Sequence, residues 1–116
     1  MAVTINGTNG ITFNNSSTQA QSAGLGSSAT AQTWQNVTGS RALGTTYTNS
    51  TGYPIMVFIL SGGGGGTATL SILINGTQYM QAYASPYAVA TVTFIVPDGA
   101  TYNASGGNGG QWTELR

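Results

Sequence analysis

The stretch Thr69-Leu70-Ser71-Ile72-Leu73-Ile74-Asn75-Gly76-Thr77-Gln78-Tyr79-Met80-Gln81-Ala82-Tyr83 decides the fold. Leu70, Ile72 and Ile74 alternate with other residues, and period two is the signature of a strand with one buried face. Asn75-Gly76 then supplies two residues that tolerate positive φ, which the type I′ hairpin turn requires. The return strand, Thr77 to Tyr83, sets Tyr79, Gln81 and Tyr83 on one face and Gln78, Met80 and Ala82 on the other. This hairpin makes the fold β rather than α.

The flanking sequence repeats the pattern. Pro54-Ile55-Met56-Val57-Phe58-Ile59-Leu60 is apolar at every position, as expected of a strand buried on both faces. Gly62 to Gly66 interrupts it. Val89 to Val96 alternates again, with Val92, Phe94 and Val96 predicted to face inward, and Pro97-Asp98-Gly99 supplies a turn. Shorter strands are expected at Thr33 to Val37, Thr45 to Thr48, Ala100 to Ala104 and Gln111 to Leu115. No helical periodicity of useful length occurs. Seven or eight short strands after residue 33 predict an antiparallel, jelly-roll-like β-sandwich.

Residues 1–32 differ in kind. Asn, Ser, Thr, Gln, Gly and Ala dominate, and the large apolar residues are limited to Met1, Val3, Ile5, Ile11, Phe13 and Leu25. Val3-Thr4-Ile5 and Ile11-Thr12-Phe13 read as short extended pieces separated by Asn-Gly turns. So few large side chains cannot bury their own apolar face, so the C-terminal domain or other copies of the chain must cover it. The chain therefore divides into an extended segment, 1–32, and a β domain, 33–116.

Of 116 residues only Arg41, Asp98, Glu114 and Arg116 carry side-chain charge, and lysine, histidine and cysteine are absent. Disulfides and Cys/His metal sites are excluded, as is any histidine-based nucleophile system. Nucleic acid and anionic membranes both demand clustered cations that two arginines do not provide. No cofactor is expected. Disorder throughout is disfavoured, because 40% of the residues are hydrophobic and they fall in runs. Near-zero net charge and small size favour self-association. No basic-then-apolar leader opens the chain, and the run Ile55–Leu60 is far short of the roughly 20 residues that span a bilayer. A soluble chain made in the cytoplasm, without membrane insertion, is expected.

The candidate chemistry is correspondingly narrow. Asp98 and Glu114 could form a glycosidase pair if their carboxylates stood about 5–10 Å apart. Against this, Asp98 occupies a position where Asp is a turn residue, and Glu114 lies beside Arg116. Arg41 and Glu114 are expected to form a partly buried ion pair joining the two ends of the domain, within or between chains. Gly62, Gly64 and Gly66 mark either an adaptable tip loop or a tolerant connection; five successive glycines are entropically costly to order. Tyr79, Tyr83 and Tyr87, with Gln81, offer stacking surfaces and neutral hydrogen bonds suited to an uncharged glycan. Strand tyrosines also pack across sheets and at interfaces. Trp34 and Trp112 are expected in the core or an interface.

Ala2-Val-Thr-Ile-Asn-Gly-Thr-Asn-Gly-Ile-Thr-Phe-Asn-Asn-Ser-Ser-Thr-Gln19 resembles the stem that precedes the terminal domain of many bacteriophage tail fibres. Thr33 to Val57, containing Trp34, Arg41 and Tyr47, resembles the opening of that terminal domain. Ile95-Val-Pro-Asp-Gly-Ala-Thr-Tyr102 and Trp112-Thr-Glu-Leu-Arg116 resemble its end. The resemblance implies a homotrimeric β-structured fibre in the virion, synthesised in the host cytoplasm. Its distal domain would bind a host-surface glycan or protein, and other virion proteins would hold its N-terminus. In such a trimer Val3, Ile5, Ile11 and Phe13 would meet their symmetry mates along the axis. Members of the family usually carry this module at the end of a much longer chain. The start at Met1, directly on the stem segment, leaves a short complete fibre and a piece of a longer one both open. The alternative is a purely structural virion part, a head decoration or baseplate fibre, with no receptor site.

Overall fold

Alternation along the sequence becomes two faces of each strand. The computed structural model describes residues 31–62 and 64–116 in full, and before them the backbone of three short strands. These are β1 (Thr4–Asn6), β2 (Gly10–Thr12) and β3 (Thr18–Gln19), which pair antiparallel in that order with Ile5 opposite Ile11. The side-chain packing expected for Val3, Ile5, Ile11 and Phe13 lies outside the described residues.

Eight strands follow: β4 (Trp34–Asn36), β5 (Thr46–Thr48), β6 (Ile55–Gly62), β7 (Ala68–Ile74), β8 (Thr77–Ala84), β9 (Ala90–Val96), β10 (Thr101–Ser105) and β11 (Asn108–Leu115). Among the described residues one 3-10 turn, Thr38–Ser40, is the sole helical element. The chain from residue 34 onward is all-β. It forms two four-stranded antiparallel sheets, β4-β11-β6-β9 and β5-β10-β7-β8. The β7–β8 hairpin stays within one sheet; every other consecutive pair from β4 to β11 changes sheet.

One core joins the sheets. Ile55, Val57 and Ile59 of β6, Val92, Phe94 and Val96 of β9, and Trp112 of β11 are buried together with Leu70, Ile72, Tyr102 and Ala104 of the other sheet. Phe94 and Trp112 both meet the Tyr102 ring, at 6.5 and 6.4 Å between centroids. Each fully buried Val, Ile, Leu or Phe contributes about 1.5–3 kcal/mol, so alternation on β6, β7 and β9 supplies the main driving force. Asn49, also buried, donates through Nδ2 to the carbonyls of Tyr53, Val96 and Pro97, which ties the β5–β6 connection to the end of β9.

The turn at Asn75-Gly76 has φ of 50° and 78°, both in the region that a two-residue I′ turn needs. The Asn75 side-chain oxygen accepts from the Thr101 amide at 2.9 Å, so the turn is fixed to β10 as well. The register of β7 on β8 shifts by one residue at Tyr79, which the alternation alone does not signal.

The reading of Pro54–Leu60 is corrected in two respects. The strand starts at Ile55 and continues through Ser61 and Gly62, which pairs with Asn108 across the ladder, so Gly62 is not part of a loop. Only one face of β6 is buried. Met56, Phe58 and Leu60, on the other, are only half-buried, because the second sheet covers just the inner side.

The registers also fix a polarity. Gly62 lies beside Asn108, Ala90 beside Ser61, Ala68 beside Ala84 and Ser105 beside Ser71. The connections 64–67, 85–89 and 106–107 therefore collect at one pole. The chain comes in at the opposite pole, where Thr33 and Arg116 exchange two backbone hydrogen bonds of 3.0 and 3.1 Å. The turns Asn75-Gly76 and Pro97-Asp98-Gly99 lie at this same end.

Candidate functional site

Three places in the domain hold groups that packing alone does not account for. The first combines the far pole with the adjoining strand β8. Tyr87 has φ of 63°, uncommon for a residue with a side chain, and its amide donates to the Gly64 carbonyl at 3.0 Å. A methyl group added at Gly65 would stand 3.5 Å from the Tyr87 hydroxyl, while one at Gly66 would meet nothing. The structure thus brings Tyr87 against the glycine connection. Tyr79, Gln81 and Tyr83 lie on β8, an edge strand, where Tyr83 sits opposite Thr69 and Gln81 opposite Ser71. Gln81 Nε2 donates to Ser71 Oγ at 3.2 Å. Tyr79, Tyr83 and Tyr87 keep 71%, 74% and 84% of their surface in water.

The second is a charge cluster. Arg41 donates from Nε to Glu114 Oε1 (2.9 Å) and from Nη2 to Oε2 (3.1 Å), within one chain. Arg116 Nη1 reaches Oε2 at 2.9 Å, and the Tyr102 hydroxyl donates to Oε1 at 2.7 Å. The guanidinium of Arg41 also lies 4.5 Å from the centre of the Tyr47 ring. Glu114 has no exposed surface at all, a deeper position than its place near the end of the sequence suggests. Burial pushes its carboxyl up, but hydrogen bonds from Arg41 and Tyr102 and the charge of Arg41 outweigh that and hold it below the ordinary carboxylate range. Burial would lower the Arg41 pKa, yet Glu114 keeps it above its usual value. Burial, then the bond to Glu114, pushes the Tyr102 hydroxyl up to about 12.

Glu114 is therefore unsuited to acid–base work: both oxygens are occupied and water does not reach it. Asp98, the other side-chain carboxylate, accepts from the Gly52 amide at 2.9 Å in the turn at the incoming pole. The two carboxylates hold separate structural positions.

Beside the charge cluster lies a cleft of about 500 Å³, lined by Arg41, Ala42, Leu43, Ile59, Gln111 and Trp112 among others. Trp112 is 3% exposed and its buried indole N–H has no hydrogen-bond partner among the described residues.

The third place is the outer face of the β4-β11-β6-β9 sheet. Trp34, Leu115, Met56 and Ile95 stand side by side across its four strands, and Asn36, Thr113, Phe58 and Thr93 form the next row. Trp34, at 53% exposure, borders a shallow hollow of about 350 Å³ with Met56, Phe58, Thr93 and Thr113. An antiparallel sheet with a wetted face normally turns polar residues outward; this one shows an apolar row without a single charge. The two tryptophans therefore part company, Trp112 in the core and Trp34 on this open face. The cleft and the apolar row had no signal in the sequence, because both depend on which strands become neighbours.

Comparison of the chain with models of known protein families and with characterised proteins finds no match.

Proposed function

We propose that the chain is a bacteriophage fibre protein of the virion. Residues 33–116 act as a distal, jelly-roll-like β-sandwich that binds a glycan or protein on the host surface without catalysis. Residues 1–32 serve as a stem in a homotrimer and connect to other virion proteins. The observation that carries the reading is the exposure of Tyr79, Tyr83 and Tyr87 on a surface almost free of charge. Rings left in water gain nothing for the fold, whereas a sugar ring stacked on them removes apolar area from water, with hydroxyls and amides at hand. The position of Tyr87 and its glycine connection at the pole away from the incoming chain suits a tip. The engagement of both Glu114 oxygens supports binding rather than hydrolysis.

The resemblance of residues 2–19, 33–57, 95–102 and 112–116 to tail fibres points the same way. Three copies turn a weak site into useful avidity if their geometry permits simultaneous contact. The apolar row Trp34-Leu115-Met56-Ile95 supports self-association. It equally suits the second reading, a structural virion part with no receptor site.

Labelled protein applied to bacterial cells and to immobilised surface polysaccharides tests the choice. Binding that is lost in Tyr83→Ala or Tyr87→Ala, with the fold intact, is the expected result. Binding to no strain or polysaccharide, together with a location away from the distal tail in intact particles, would favour the structural role.

A further inference from the structure

The outer face of the β4-β11-β6-β9 sheet carries a ring and a hollow side by side. Trp34 stands on the edge strand β4 with 53% of its surface in water, and the shallow hollow of about 350 Å³ beside it is lined by Met56 and Phe58. Thr93 and Thr113 are the polar members of that lining. A sugar needs more hydrogen-bonding groups than two hydroxyls, and a charged partner needs a counter-charge that this face lacks. What fits such a hollow is a large apolar side chain, and Trp is among the residues most enriched at the buried centres of protein interfaces.

The chain itself supplies that side chain. Trp34 follows Thr33, where the chain enters the domain, so everything before residue 31 is attached beside it. Copies joined through that segment hold their Trp34 edges near one another. The local concentration of a second copy then exceeds that of any unrelated partner. With zero net charge the copies do not repel. Ring and hollow are different patches of one face, and contact between unlike patches is what a closed ring of three copies uses. We infer that the hollow of each copy receives the Trp34 indole of the next, so that this face turns inward in the assembly and leaves the β8 tyrosines outside. The inference rests on the homotrimer reading for the number of copies.

Trp112 is 3% exposed, so acrylamide quenching of tryptophan fluorescence in the natural chain reports on Trp34. Thr93→Arg, at an exposed position, fills the hollow and adds a charge to it. Thr113→Arg repeats the change from the other side of Phe58. The full chains are sedimented and quenched at the same micromolar concentration, with circular dichroism as the check on folding. The natural chain is expected to be an oligomer with Trp34 shielded, and the folded variants to be quenched several-fold more strongly. Equal quenching of natural chain and variants overturns the proposal. If the natural chain is then an oligomer, its copies are joined elsewhere and the homotrimer reading survives; if it is a monomer, both fall. Shielding of Trp34 in a monomer also overturns the proposal, because the chain's own N-terminal segment then covers the face. Cell binding through Tyr83 and Tyr87 is measured separately and depends on neither result.

Discussion

Glu114 receives Arg41 on both carboxylate oxygens across 73 positions of sequence, inside the domain and out of reach of water. The bridge fastens the segment before β5 to the last strand. Leaving a buried charge wholly unmatched costs about 3–5 kcal/mol; without Arg41, Glu114 keeps Arg116 on Oε2 and the Tyr102 hydroxyl on Oε1, so the loss falls below that range. Arg41→Ala also forfeits the stacking on Tyr47. Chemical denaturation of Arg41→Ala should show a loss of about 2 kcal/mol. A loss below about 1 kcal/mol, the range of a surface pair, would show that the bridge adds nothing.

Stability should be flat over an unusually wide range of pH. The unfolded chain protonates Glu114 near pH 4.3, while the folded chain holds the carboxyl below its ordinary range, so acid favours unfolding. That stability is present above about pH 4.3 and is lost as pH falls through the lower, folded value. Tyr102 acts in the other direction. It loses its proton near pH 10 when unfolded but only at about 12 when folded, so stability declines as pH rises between those values. With no histidine, cysteine or lysine, no side chain titrates ordinarily in between. Thermal unfolding midpoints measured from pH 5 to 9 should agree within a few degrees, and a pronounced slope there would contradict this account.

Glycines near the far pole should divide into two classes. A methyl group at Gly106 would collide with the Thr69 carbonyl, and one at Gly110 with the Leu60 carbonyl; Gly106 also has φ of 80°. Neither backbone can move without disturbing a ladder. Gly66 has open space and no positive φ. Gly106→Ala and Gly110→Ala should each cost about 2 kcal/mol or more, whereas Gly66→Ala should stay within about 0.5 kcal/mol. Equal effects in a denaturant series would sink the distinction.

The apolar row predicts a concentration-dependent assembly. Met56→Glu places a charge in its centre, on the side of β6 away from the core. Sedimentation should show oligomers for the natural chain and a shift toward monomer for Met56→Glu, with the same circular dichroism. If both sediment alike, the outer face is not an interface.

Local chemistry was legible where one or two residues decide the geometry. Asn75-Gly76 set the hairpin, and the alternation of Val92, Phe94 and Val96 set the inner face of β9. In a chain with two charges of each sign, Arg41 and Glu114 stood out as ion-pair candidates, and the structure pairs them. Less legible was whatever depends on a neighbour strand. An apolar run such as Ile55–Leu60 does not reveal whether its second face is covered. Gly62 looked like loop because glycine follows it, yet Asn108 supplies a ladder partner. The unpaired indole of Trp112 and the row ending at Ile95 exist only once β11 has settled beside β6 and β4.

The pairing of Thr33 with Arg116 has a mechanical consequence. A pull applied at residue 31, while the loops around Tyr87 are held, runs along the strands rather than across them. The hydrogen bonds joining β4 to β11 at Trp34, Gln35 and Asn36 then bear the load in shear, together and not one after another. A force that would peel a ladder open bond by bond must here break several at the same instant, so the domain resists traction along the very axis in which a tether would stretch it.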